Sequence, residues 1–339
     1  MAASLTETAT TWVCWADNDD ETAEDAKSGM TNYLWQNMQP CDMANAKTLG
    51  FHNEDTAWNG SSDSETDGAP TREATQPCVD GLSDGILKQT LHFSIQAKIL
   101  YPWTDHVPRK IYLEYVLPYC VVNEPRTDHR TLLFEKLEDI LKDFMRKDGV
   151  DMHLQGARAS IKAAVEIINT DLWSVLGRKG KPISFKAGLT PRIYDPLSVI
   201  AYGYSSCTGL AILLISALRS VGIACRMAGT PAWNGDANNG NHSWVEVYLP
   251  SEAGGEWVFM EPSPGIAEGA EDSNADHLDR EPMKRWFCNP SRMDGITRFY
   301  ATRFDRSSTT VHFPLAWSVS DEGVVGEDRS GFYNSIVGK

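Results

Sequence analysis

The stretch YSSCTGLAILLISALRSVGIACRMAG, residues 204–229, places a single cysteine directly before a long apolar run. Ser205 or Ser206 is a good helix N-cap, so Cys207 falls in the first turn of a helix that ends at Gly222. The N–H groups at a helix start favour a thiolate over a thiol and can also stabilise an oxyanion. The stretch therefore predicts a buried central helix whose first turn carries either a nucleophilic cysteine or a small residue tolerated at that position.

Two alternating segments downstream, HSWVEVYL and EWVFME, predict a pair of antiparallel strands joined by a Pro/Gly turn. If Leu249 pairs with Gly254 across a four-residue loop, His242 lies directly opposite Glu261 on the same face of the sheet. A carboxylate there can hold one imidazole nitrogen while the other takes a proton from Cys207. The alternative for His242 is a strand-end histidine bonded to the backbone, and the alternative for Glu261 is a surface carboxylate before Pro262.

The chain before this region has the spacing of amphipathic helices. Apolar side chains recur every three or four positions in residues 131–147 and again in residues 157–177. Helices followed by a run of strands predict an α+β fold around an antiparallel sheet. Composition divides the chain into an acidic N-terminal segment (1–88), a mainly helical lead-in to the core (89–180) and a core with C-terminal strands (181–339).

Charge is distributed unevenly along the 339 residues. The net charge is −15, and residues 1–88 hold 16 Asp/Glu against four Lys/Arg, a charge of −12. No basic stripe of the kind that binds nucleic acid or an anionic membrane is present in the sequence. No apolar run approaches the roughly 20 residues that cross a bilayer. We therefore expect neither a nucleic-acid partner nor a membrane partner.

Cysteine usage bears on metal binding and on the cellular compartment. The seven cysteines include no C-x-x-C pair, which argues against a structural zinc site, and we expect neither a metal nor a cofactor. Three disulfides with one free thiol and a fully reduced chain are both compatible with this count. The N-terminus lacks the basic and apolar regions of a signal peptide. This predicts a cytoplasmic protein, or a secreted one if a signal has been removed.

Three motifs in order give the chain a family resemblance. SCTGLAILLISALRSVGIACRMAGTPAW, GNHSWVEVYLP and EWVFMEP resemble the core of the transglutaminase-like cysteine-enzyme superfamily. Flanking segments such as YPWTDHVPRKIYLEYVLPYCVVNEPRTDHR, FYATRF and HFPLAWS are similar to those of bacterial-type transglutaminase-like proteins, which extends the resemblance over roughly residues 95–335. It implies a papain-like core with a central cysteine-bearing helix packed on an antiparallel sheet. Many members have Asp where this chain has Glu261, whose side chain is one methylene longer.

The resemblance implies a cysteine hydrolase or acyltransferase that works on an amide of a peptide or protein through a thioester. Cys207 would attack the carbonyl, His242 would shuttle the proton and Glu261 would orient His242. Water as acceptor makes the enzyme a peptidase or amidase, and an amine makes it a protein-glutamine transamidase. The alternative is a catalytically inactive binding module of the same fold.

Aromatic residues near these motifs are candidates for binding the substrate. Tyr204 and its neighbour Tyr202 precede Cys207 closely and are candidates for the second oxyanion donor. Trp233 and Trp244 are candidates for lining a substrate groove, with buried packing as the alternative for each.

Overall fold

The structure is a computed structural model. It describes residues 22–40, 42–43, 84–146, 154–266, 296–307 and 311–336. Among these residues the helices are α1 (Ala23–Asn37), α2 (Asp84–Leu100), α3 (Arg109–Tyr115), α4 (Arg130–Arg146), α5 (Leu154–Val175), α6 (Pro196–Tyr202), α7 (Cys207–Ser220) and α8 (Ser330–Ile336). The strands are β1 (Ser184–Phe185), β2 (Tyr204–Ser205), β3 (Cys225–Thr230), β4 (His242–Leu249), β5 (Glu256–Met260), β6 (Gly265–Ile266), β7 (Tyr300–Thr302) and β8 (Gly326–Asp328).

The predicted helices are confirmed to within a few residues. Helix α4 buries a stripe of leucines at every fourth position, and α5 is helical from residue 154 to 175, over most of the segment predicted from 157. Helix α7 begins at Cys207, and every residue from Thr208 to Ser220 is buried. No described helix combines the length and apolarity that crossing a bilayer would require.

The strands form an antiparallel five-stranded sheet in the order β5-β4-β3-β7-β8, within the described residues. A small parallel sheet, β2-β1-β6, lies at the start of α7, because β2 ends at Ser205 just before Cys207. Helices and an antiparallel sheet around shared cores make this an α+β fold, as the sequence predicts.

The register of the β4–β5 hairpin differs by two residues from the predicted one. Leu249 pairs with Glu256 instead of Gly254, and the last pair is Val245 with Met260. Gly254 and Gly255 have φ angles of +98° and +86°, so both belong to the turn rather than to the strand. His242 is therefore not directly opposite Glu261. A shift of two residues nevertheless keeps each side chain on its predicted face of the sheet.

One hydrophobic core surrounds α7. It contains the buried faces of α4 and α5 together with Val245, Val247 and Leu249, the alternate residues of β4. Gly222 follows the helix with a φ of +77°, and a Cβ there would overlap the side chain of Thr104. The lead-in helices and the sheet thus enclose the cysteine-bearing helix together.

The described part of the acidic N-terminal segment is integrated with the rest of the fold. Side chains of α1 share a second buried cluster with Tyr112 and Tyr248. Arg126 Nη2 lies 2.9 Å from Asp42 Oδ2, and neither side chain is exposed to solvent. The proposed segment boundary at residue 88 falls inside α2. The described residues between 22 and 43 thus pack into the rest of the fold.

Candidate active site

Cys207 is the first residue of α7 and is half-buried, whereas the rest of that helix is fully packed. Ser206 occupies the N-cap position, but its hydroxyl is hydrogen-bonded to Thr190 Oγ1 and does not cap the first turn. A Cβ on Gly209 would overlap Ser205 Oγ and approach the Ile193 carbonyl oxygen to 2.9 Å. The absence of a side chain at Gly209 therefore allows the chain to pack tightly beside the cysteine.

His242 and Glu261 form a close pair between the ends of two strands. The His242 Nε2 atom lies 2.9 Å from Glu261 Oε1 and 3.1 Å from Oε2. The histidine side chain is 12% exposed and the carboxylate 4%. The carboxylate is thus shielded from water, which strengthens its hold on the imidazole.

The third member, Cys207, also interacts with the imidazole. The imidazole of His242 and the backbone N–H of Ser243 are close enough to the Cys207 sulfur to lower the pKa of its thiol. Because Nε2 is held by Glu261, Nδ1 is the nitrogen left for the sulfur. A hydroxyl pair, Thr208 Oγ1 and Ser243 Oγ at 3.2 Å, joins the residues that follow the cysteine and the histidine. The structure therefore brings the three predicted catalytic side chains into one chain of contacts.

The electrostatics of the site favour a thiolate–imidazolium pair. Burial raises the pKa of the Cys207 thiol, but the bond and charge of His242 and the Ser243 N–H outweigh it and lower that pKa below its ordinary value. Burial lowers the pKa of His242, but the Glu261 charge and the bonds to Glu261 and Cys207 raise it to about 10. Burial also raises the pKa of Glu261, while the charge of His242 opposes that rise.

The two other described cysteines provide the contrast. Cys225 is fully buried in β3, as expected for a core residue, and burial raises its pKa to about 12. Burial likewise raises the pKa of Cys120. Cys120, Cys207 and Cys225 are all free thiols, and the other four cysteines lie outside the described residues. Of the three, only Cys207 combines access to solvent with a lowered pKa.

Two tryptophans enclose the imidazole. The Trp233 ring stacks on His242 with centroids 6.5 Å apart, and the Trp244 ring lies 5.8 Å away. Both are buried, at 2% and 0% exposure, and Trp244 Nε1 donates to Tyr333 Oη at 2.7 Å. This burial favours the packing role over direct contact with a substrate. The two rings limit the orientations open to the imidazole.

The tyrosines before Cys207 are more accessible. Tyr204 is half-buried in β2, and Lys186 Nζ lies 4.8 Å from its ring centroid. Tyr202, at the end of α6, is 60% exposed. These residues form the open aromatic surface nearest to Cys207 in sequence.

The other hairpin carboxylates have separate partners. Glu246 accepts hydrogen bonds from Arg226 Nε at 2.8 Å, Arg329 Nε at 3.0 Å and Tyr333 Oη at 2.7 Å. Glu256 is exposed and pairs with Arg158. No group of three or more potential metal ligands was found among the described residues.

Asn169 has contacts at the site that sequence reasoning missed. It lies in α5, and its side chain is hydrogen-bonded to the backbone on both sides of Pro262. The available signal was a polar residue between Ile168 and Leu172, on the buried face of an amphipathic helix.

The comparison with protein families is consistent with this geometry. Residues 162–262 match the model of the transglutaminase-like superfamily, a stretch that begins in α5 and contains Cys207, His242 and Glu261. No curated protein and no solved structure gives a significant match to the chain. The central third of the chain is thus similar to the transglutaminase-like superfamily, whose members are often cysteine-dependent acyltransferases or peptidases.

Proposed function

We propose that the protein is a cysteine-dependent enzyme that transfers the acyl group of a peptide or protein amide through a thioester intermediate. The observation that carries this proposal is the contact chain from the Cys207 thiol through His242 to Glu261. The papain-like arrangement expected of this superfamily, a cysteine at a helix start facing a histidine at a strand end, fits α7 and β4.

In the first half of the reaction, the Cys207 thiolate attacks the amide carbonyl carbon and forms the carbon–sulfur bond. The carbonyl π electrons move to oxygen, where N–H groups of the first turn of α7 would stabilise the negative charge. The imidazolium of His242 then gives its proton to the amide nitrogen as the carbon–nitrogen bond breaks. The products are a thioester on Cys207 and a free amine or ammonia.

In the second half, neutral His242 takes a proton from the incoming water or amine. That nucleophile attacks the thioester carbon, the carbon–sulfur bond breaks, and the electron pair returns to Cys207 as a thiolate. Glu261 stabilises the imidazolium that forms again and keeps Nδ1 directed at the sulfur. Each turnover restores the thiolate–imidazolium pair.

We further propose that Tyr204 and Tyr202 contact the substrate, because their rings offer accessible aromatic surface close to the nucleophile in sequence. Trp233 and Trp244 would act indirectly, by packing around His242. Substitution of Tyr202 by Ala should raise KM with little effect on the chemistry at Cys207.

An activated ester tests the proposal without knowledge of the natural substrate. Treatment of the full chain with p-nitrophenyl acetate should release a burst of p-nitrophenol and leave an acetyl thioester on Cys207, detectable by mass spectrometry. The Cys207→Ala variant should give no burst. Folded wild-type protein that neither forms the thioester nor alkylates at Cys207 near neutral pH would instead indicate an inactive binding module.

A protein substrate then distinguishes the acceptors. Unfolded casein together with a fluorescent primary amine reports peptide-bond hydrolysis as new amino termini, transamidation as incorporated label, and deamidation as ammonia released in excess of the incorporated label. Whichever signal appears must disappear in Cys207→Ala. A signal that persists in this variant would contradict the assignment of the nucleophile.

A further inference from the structure

Asn169 is a polar residue on the otherwise apolar face of α5. It is buried, with 3% exposure, between core residues such as Ile168 and Leu172. A buried amide that lost its hydrogen bonds would destabilise the fold, so its partners explain why it is tolerated there.

Its side chain holds both ends of the short segment around Pro262. The Nδ2 group donates to the Glu261 carbonyl oxygen at 2.9 Å, and Oδ1 accepts from the Ser263 N–H at 3.0 Å. The amide thus pairs with the loop in the way that a neighbouring strand would. Pro262 has no N–H of its own to offer to β4, so the loop cannot be held there by continued sheet pairing.

Glu261 needs such support because it lies outside the paired part of the hairpin. The last pair joins Val245 to Met260, one residue before Glu261. Beyond a strand end, the backbone is free to move unless another group fixes it. A displacement of about 1 Å at Glu261 would lengthen its bond to His242 beyond useful geometry.

We propose that Asn169 is a positioning residue for the carboxylate of the triad: it fixes the Glu261 backbone so that the carboxylate holds the His242 imidazole. This inference rests on the proposed function, since it concerns the same triad. It makes α5, part of the helical lead-in, a structural component of the active site. Asn169 acts through Glu261, to whose backbone its side chain is hydrogen-bonded.

The titratable groups around His242 define the readout. Cys207 faces the imidazole from α7 and Glu261 faces it from the loop after β5, while the rings of Trp233 and Trp244 do not titrate. Loss of the Glu261 contact lowers the pKa of His242, so less of the imidazole is protonated. The fraction of Cys207 present as thiolate near neutral pH therefore falls. The pH dependence of Cys207 alkylation therefore reports how well Glu261 is positioned.

Asn37 provides a matched control. It is also a buried helical asparagine with two backbone bonds: it donates to the Tyr33 carbonyl oxygen at 3.0 Å and accepts from the Arg306 N–H at 2.7 Å. Replacement of either asparagine by Leu keeps the approximate volume and removes both bonds. Both variants should lose stability, but only Asn169→Leu removes hydrogen bonds to the loop that carries Glu261.

The experiment measures iodoacetamide labelling of the Cys207 peptide by mass spectrometry across pH. In Asn169→Leu, labelling at about pH 6.5 should fall by about threefold or more, with the midpoint of the profile moved to higher pH. Asn37→Leu should keep the wild-type profile. Glu261→Gln should cause the shift by itself, and Asn169→Leu should add little to it in the double variant.

Two results would overturn the inference. One is an Asn169→Leu variant that is less stable but has the wild-type labelling profile. The other is a full additional shift in the double variant, which would mean that Asn169 acts independently of Glu261. If Asn169→Leu does not fold, Asn169→Asp keeps the volume and the acceptor for the Ser263 N–H. It should move the labelling midpoint in the same direction by a smaller amount. A wild-type Cys207 that labels no faster than an ordinary thiol would instead contradict the proposed function.

Discussion

Glu261 reaches His242 diagonally across the hairpin, from one residue beyond the last paired position, with Oε1 2.9 Å from Nε2. Extending the observed register would place Glu261 opposite Trp244 rather than opposite His242. Diagonal neighbours on one face of a sheet are about 7–8 Å apart, a gap that only long side chains bridge. This geometry gives a physical reason for glutamate at a position where many members of the superfamily that the chain resembles have aspartate.

Substitutions at Glu261 test this relationship. Glu261→Gln keeps the size but loses the charge that stabilises the imidazolium, so we expect kcat to fall at least tenfold, equivalent to about 1.4 kcal/mol. Glu261→Asp keeps the charge but shortens the side chain, and should also lower kcat. Steady-state kinetics on the activated ester measure both. An Asp variant with full activity would show that the diagonal reach is not required.

Removal of the nucleophile should separate activity from folding. Cys207→Ala should retain at most a few per cent of turnover, because the proposed mechanism forms the thioester on this sulfur. Its melting temperature should stay close to that of the wild type, since the side chain is small and half-buried. Calorimetry and ester turnover on the same sample test this prediction, and substantial residual turnover would exclude covalent catalysis at this residue.

Glu246 should matter for stability and not for chemistry. Its buried carboxylate is bonded to Arg226 and Arg329. Glu246→Gln removes the negative charge that both guanidinium groups face and should lower the free energy of unfolding by several kcal/mol. The rate per folded molecule should change little. The exposed pair of Glu256 with Arg158 offers the control, because Glu256→Gln should cost less than about 1 kcal/mol. A larger loss of kcat in either variant than in Glu261→Gln would contradict the assignment of Glu261 as the carboxylate that orients His242.

Truncation of the N-terminal segment should have an effect that depends on where it is made. A chain that begins at residue 22 keeps α1 and the buried pair of Asp42 with Arg126, and should fold. A chain that begins at residue 89 divides α2 and leaves Arg126 without Asp42, the nearer of its two buried carboxylate partners, which should cost about 3–5 kcal/mol from the lost pair alone. Thermal unfolding compares the two. A stable chain that begins at residue 89 and keeps a reactive Cys207 would show that residues 1–88 are needed neither for folding nor for the active site.

Local sequence patterns predicted the elements that carry the site. The leucine spacing of α4, the small polar residues before α7 and the alternation in β4 each act over a few residues, so they can be recognised without knowledge of the fold. These patterns placed Cys207 at a helix start and His242 at a strand start. The face on which Glu261 lies also followed, because alternation survives a register shift of two residues.

Features that depend on contacts between distant segments could not be predicted in this way. The hairpin register depends on Gly254 and Gly255 both adopting positive φ angles, which a strand pattern does not reveal. Asn169 and Glu261 are 92 residues apart in sequence. The partnership of Asp42 with Arg126 likewise joins residues that are far apart in sequence. Each of these requires knowledge of the tertiary fold.

The thiolate–imidazolium pair of Cys207 and His242 is the central claim, and the pH dependence of Cys207 alkylation tests it most directly. In folded wild-type protein at about pH 7, iodoacetamide should label Cys207 at least about tenfold faster than Cys225, whose pKa is raised by burial to about 12. In His242→Ala, the midpoint of Cys207 labelling should rise towards about 8.5, the value of an ordinary thiol. A wild-type Cys207 that reacts no faster than Cys225, or whose profile is unchanged in His242→Ala, would contradict the account.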